Sequence, residues 1–159
     1  MTEETQRAPS FFHQVICMGA DGNEKWRESV RNLVTIAGKT DLVTRYFTGS
    51  SYTAAWYLGL MSSGTASASD TLSIHGGWSE IAPYSGNRPA ITFGTTSGGS
   101  NTANAISFSI NATATISGAF IANASSGTSG ILYSASSFSV ARSVASGDTL
   151  TIAPTVSVS

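Results

Sequence analysis

Between residues 106 and 116 every even position is apolar (Ile106, Phe108, Ile110, Ala112, Ala114, Ile116) and every odd one carries a hydroxyl or an amide. A period of two sends one set toward a core and the other toward water, so this run predicts a strand. Residues 150–158 repeat the pattern, with Leu150, Ile152, Pro154, Val156 and Val158 alternating with Thr151, Ala153, Thr155 and Ser157. Pro154 has no N–H for a ladder, which predicts a free edge or a bulge there. Shorter β-prone runs predict strands at 54–61, 79–81, 89–93, 119–122, 130–134 and 138–141. The first of these is apolar on both faces and is expected in the interior of a sheet. Clusters such as Ser97-Gly98-Gly99-Ser100 and Ser146-Gly147-Asp148 supply the turns.

The N-terminal third reads differently. Residues 11–18 and 24–30 are strand candidates flanking Ala20-Asp21-Gly22-Asn23, a hairpin signature. Residues 33–47 then show helical spacing. Leu33, Ile36, Val43 and Phe47 share one face, widened by Leu42 and Tyr46. Gly38 weakens this helix and Gly49 is a reasonable stop. Many short strands with polar turns and one short helix near the N-terminus predict a mainly β fold, an antiparallel β-sandwich or jelly roll. The expected organisation is an N-terminal arm over residues 1–50, packed on or anchoring a β-sandwich domain over residues 51–159.

Charge sharpens this division. Six of the eight Lys and Arg residues lie at or before Arg45, and from Pro89 onward only Arg142 and Asp148 are charged. Low charge alone would allow disorder, but disorder pairs low hydrophobicity with high net charge, and here mean hydropathy is +0.08 and net charge −1. A near-neutral chain lacks the electrostatic term that drives most nucleic-acid and acidic-membrane binding, so neither is an expected partner. No run approaches the roughly 18 apolar residues of a membrane span. The apolar stretch 11–20 follows Glu3 and Glu4 and is interrupted by His13 and Gln14, so it does not read as a secretion signal.

Chemistry is sparse. Cys17 is the only cysteine, and His13 and His75 have no second ligand at metal spacing, so no disulfide, metal or cofactor is expected. Ala37-Gly38-Lys39-Thr40 ends like a phosphate loop, but the required first glycine would fall at Leu33. No serine sits in a nucleophile elbow, and catalysis is not expected. Asn111-Ala112-Thr113 and Asn123-Ala124-Ser125 match the glycosylation pattern and, without a secretion signal, read as exposed strand and turn residues. The densest cluster is His75-Gly76-Gly77-Trp78-Ser79-Glu80 with Tyr84 and Arg88. Trp78, Tyr84, Glu80 and Arg88 suit a glycan or partner contact, since an aromatic face stacks on a sugar ring while charged groups bond its hydroxyls. The competing arrangement packs Trp78 in the core and pairs Glu80 with Arg88.

The ordered landmarks Asn32-Leu33-Val34-Thr35, Gly38-Lys39-Thr40-Asp41-Leu42, Ala55-Trp56-Tyr57-Leu58-Gly59-Leu60, His75-Gly76-Gly77-Trp78-Ser79-Glu80 and Arg88-Pro89 resemble a group of small bacteriophage virion proteins. Later landmarks, Gly118-Ala119-Phe120-Ile121, Gly130-Ile131-Leu132-Tyr133 and Val144-Ala145-Ser146-Gly147-Asp148, resemble the strands that close their domain. The resemblance spans residues 26–158 and implies a virion structural role without catalysis, in a protein made in the host cytoplasm. A capsid decoration (cement) protein is the leading expectation, bound to the major capsid protein or other virion proteins as a homo-oligomer, with a trimer favoured. A tail or neck fibre subunit and a glycan-binding module for host attachment are the alternatives.

Overall fold

A computed structural model describes residues 10–49 and 51–157. Its elements are β1 (Ser10–Met18), β2 (Glu24–Val34), α1 (Ile36–Phe47), β3 (Tyr57–Gly64), β4 (Trp78–Ile81), β5 (Ser100–Thr102), β6 (Ile106–Ser109), β7 (Ala114–Ala122), β8 (Leu132–Val144) and β9 (Thr149–Ser157). The expected class is observed: mainly β, antiparallel, with one short helix near the N-terminus. The strands form one sheet in the order β4-β3-β7-β8-β2-β1-β9-β5, and β6 pairs with β9 off this path.

The sheet joins two halves through a narrow seam, where only Leu33 and Val34 at the end of β2 pair with Ala135 and Ser134 of β8. On one side lie β1, β9, β5, β6 and most of β2; on the other lie β8, β7, β3 and β4. Inward residues of both halves share one core: Val15, Cys17, Phe108, Leu150 and Ile152 pack in one cluster with Leu58, Leu60, Ala119, Ile121 and Val144. A sheet that buries an apolar face must cover it with another layer, and here the chain covers it with its own second half.

The second half is buried on its outer face as well. Met61, Leu72, Trp78, Phe120, Ala122, Leu132 and Ala135 form a smaller cluster there, which is why the last seven residues of β7 are all buried. Phe120 lies across its strand partner Gly59, and a Cβ on Gly59 would come within 2.2 Å of the Phe120 ring. Only glycine leaves room for that ring.

Several sequence expectations are corrected. The alternating run 106–116 is not one strand. The chain leaves the first half after Ser109 and enters the second at Ala114, with Ile110 and Asn111 giving their N–H groups to Asp148 and Pro83. Residues 89–93 make isolated bridges, Tyr57 with Ala90 and Phe93 with Ala103, rather than a strand. The runs expected at 130–134 and 138–141 fuse into β8, and the helix starts at Ile36 because Leu33 and Val34 belong to β2. Pro154 is neither at a free edge nor in a bulge. It pairs with His13 on one side and, on the other, occupies the gap between the β5 and β6 registers, where its carbonyl accepts from Ala103 N at 2.8 Å.

The segment expected as an arm contributes strands to the middle of the sheet, since β1 pairs with β2 and with β9 along its whole length. Residues 1–9 of that segment, and Val158 of the C-terminal alternation, lie outside the described residues.

Candidate binding surface

Trp78, Glu80 and Arg88 gather around Phe120 with their polar groups used internally, while Tyr84 packs in the larger core cluster. Arg88 is buried and directs its guanidinium to Glu80 as a fork, with Nε to Oε1 at 2.7 Å and Nη2 to Oε2 at 2.6 Å. Its remaining donors reach the carbonyls of Ala124 (2.8 Å) and Gly127 (2.7 Å), and its plane lies 5.2 Å from the centre of the Phe120 ring. Trp78 is only 4% exposed. His75 stacks on one side at 4.0 Å, Phe120 tilts against it at 5.1 Å, and the indole N–H donates to Asp70 at 2.8 Å. Tyr84 is buried edge-on to Phe108, and burial pushes its phenol up to about 12. A sugar platform needs an open aromatic face. Trp78 offers none, and with Arg88 and Glu80 it clamps three loops to β4 and β7.

The phosphate-loop remnant is also occupied. Thr35 caps α1, its hydroxyl accepting from Gly38 N at 3.0 Å and donating to Leu132 O at 2.5 Å. The Thr35 and Ile36 N–H groups go to Tyr133 O and Ala68 O. The first turn of the helix is thereby fixed to the start of β8, with the amides of Ile36 and Gly38 already taken.

An aromatic-walled opening lies around α1. A cavity of about 300 Å³ lies between the helix, the segment after it and the sheet, lined by Leu42, Tyr46, Tyr52, Trp56, Phe93 and Tyr133. Asp41 and Arg45 also line it and pair with each other at 3.0 Å. Arg45 further donates to Ser51 O and lies over the Tyr52 ring at 5.8 Å, while Trp56 Nε1 donates to Tyr52 Oη at 2.7 Å. Burial, and secondarily the Asp41 carboxylate, pushes the Tyr133 phenol up to about 12. The charges of the groove are thus matched to each other, and its walls are mainly aromatic.

Beside this groove the helix turns its apolar stripe outward. Ile36 (59% exposed), Val43 (53%), Tyr46 (79%) and Phe47 (75%) face solvent, and Gly38 is the only buried helix residue. The shared apolar face read from the sequence is real, but it does not pack on the sheet. At 100° per residue Gly38 lies about half a turn from Ile36, Val43 and Phe47. The glycine side, not the apolar side, meets the sheet. The stripe was visible in the sequence. The groove was not, because its residues come from positions 41 to 156 and share no local spacing.

Among the described residues, no group of three His, Cys, Asp or Glu side chains is placed to hold a metal, and no helix is long and apolar enough to cross a membrane. No curated protein matches the chain. Residues 34–157 match the model of a protein family described as Podophage GP4 fiber I protein gp80. The match begins at the last residue of β2, so the hairpin at the middle of the sheet precedes it.

Proposed function

Because this chain belongs to the Podophage GP4 fiber I protein gp80 family, which makes it a structural component of a phage virion, we propose that it is a fibre subunit of the particle. The family match carries this reading. It replaces capsid decoration as the leading expectation, since the family is described by a fibre and not by a shell protein.

The physical character of the fold supports a scaffold role. Its polar clusters are internally matched, as in the Arg88–Glu80 fork and the Lys25–Asp148 pair at 2.6 Å. The outer face of the first half carries hydroxyl pairs such as Thr102–Thr155 (2.9 Å) and Ser107–Thr151 (3.1 Å), which are uncharged and wet. Pairs of this kind add no charge to the surface. A structural family suggests a non-enzymatic role, and the partners in this reading are other virion proteins.

Labelling the protein in intact particles and imaging them by electron microscopy tests the proposal. Signal on discrete appendages, in far fewer copies than the major capsid protein, is the expected result. A uniform coat over the head in near-equal numbers would overturn it.

A further inference from the structure

Among the described residues, seven of the ten exposed large hydrophobic side chains lie between residues 33 and 52, on or beside α1. Monomers rarely gather apolar surface this way without a partner. We propose that the outward stripe of α1 is the contact between two copies of this chain, packed helix against helix in antiparallel orientation about a two-fold axis.

The spacing suits helix-to-helix packing. Ile36 and Val43 are seven apart, and Tyr46 and Phe47 follow three and four later, as in the seam of a coiled coil. One charged residue, Lys39, lies on this side of the helix between Ile36 and Val43. In a parallel pair it would meet its own copy, and like charges would repel. In an antiparallel pair centred on Val43, each Lys39 lies opposite the partner's Phe47, because both are four residues from the centre. An ammonium over an aromatic face is attractive. The stripe is therefore complementary to itself in one orientation, which is what a two-fold interface requires.

Area supports the same occupant. With aromatics contributing roughly 150–250 Å² each, the exposed parts of Ile36, Val43, Tyr46, Phe47 and neighbouring Tyr52 come to about 500–600 Å² per copy. Two copies that covered all of it would bury about 1,000–1,200 Å², a ceiling that reaches the lower bound of a specific interface. The pairing is a property of this surface and does not depend on which appendage carries the protein.

The test uses the full chain in isolation. Sedimentation at rising concentration is expected to show a dimer, weakened at least tenfold by Val43→Glu or Phe47→Ser, with the circular dichroism spectrum unchanged and the melting temperature unchanged at dilutions where the native chain is also monomeric, because both sites are exposed. Oxidation of the Lys39→Cys/Phe47→Cys double variant is expected to link two copies, while Phe47→Cys alone does not. Cys17 is buried and leaves the background silent. A monomer at every concentration would overturn the proposal and leave the stripe to another virion protein. Self-association that ignores Val43→Glu, or a cross-link in the Phe47→Cys single variant, which marks parallel packing, would overturn it equally.

Discussion

Gly38 approaches Tyr133 so closely that a Cβ on the glycine would come within 2.3 Å of the Tyr133 carbonyl oxygen. This contact, with the Thr35 hydroxyl bridging Gly38 N and Leu132 O, seats α1 on the sheet and turns its apolar stripe away from it.

Gly38→Ala therefore has an unusual sign. In an ordinary helix the change stabilises by about 1 kcal/mol. Here the added methyl meets backbone that cannot step aside, and the expected outcome is a loss of about 1–3 kcal/mol. Urea denaturation of the variant reads the sign directly. A gain in stability would mean that the helix does not rest on β8 through this glycine.

Arg88 holds the second cluster. Arg88→Ala removes the fork to Glu80 and the bonds to Ala124 O and Gly127 O; Arg88 is buried, but Glu80 is about a third exposed and can turn to water, so a loss of about 2–3 kcal/mol is expected. Arg88→Lys is expected to recover little of it, because an ammonium cannot reproduce the planar fork. Equal stability of the lysine variant and the native protein, measured by thermal melting, would refute this role.

His13 is fully buried and neither ring nitrogen has a hydrogen-bond partner. Burial disfavours the charged ring and lowers its pKa from 6.5 to about 3. Between these values the unfolded chain holds the extra proton, so stability falls as the pH drops below 6.5 and continues to fall until about 3. Each pH unit in that window costs up to about 1.4 kcal/mol. His13→Leu is expected to raise the melting temperature at neutral pH by relieving the unpaired nitrogens, and to flatten its decline between pH 6 and 4. A variant with the same acid slope as the native protein would assign that slope to other groups.

Cys17 is buried, and burial together with the Asp148 carboxylate pushes its thiol up to about 11. A thiol reagent at pH 8 is expected to leave it unmodified in the folded protein and to react once denaturant is added. Rapid labelling without denaturant would show that β1 opens readily from β9.

The alternation of apolar and polar residues already determined much of this molecule: the mainly β class, the single helix, the hairpin at 20–23, and which side chains of β6 and β9 point inward. These are properties of adjacent residues, set by a backbone that repeats every two positions in a strand and every 3.6 in a helix. The direction a side chain points does not say what it meets. The run 106–116 kept its inward parity while the chain crossed from one half of the sheet to the other, so one pattern covered two strands. The helix stripe was legible as apolar, yet the docking of Gly38 on Tyr133, 95 residues away in the chain, decided that it faces solvent. Trp78 and Arg88 suited a surface platform by composition, and the packing of Phe120 and the 124–127 loop decided that they are interior. Local spacing determined the faces; only the pairing of distant strands decided what covers each of them, because burial depends on contacts between parts of the chain that carry no record of one another in their own periodicity.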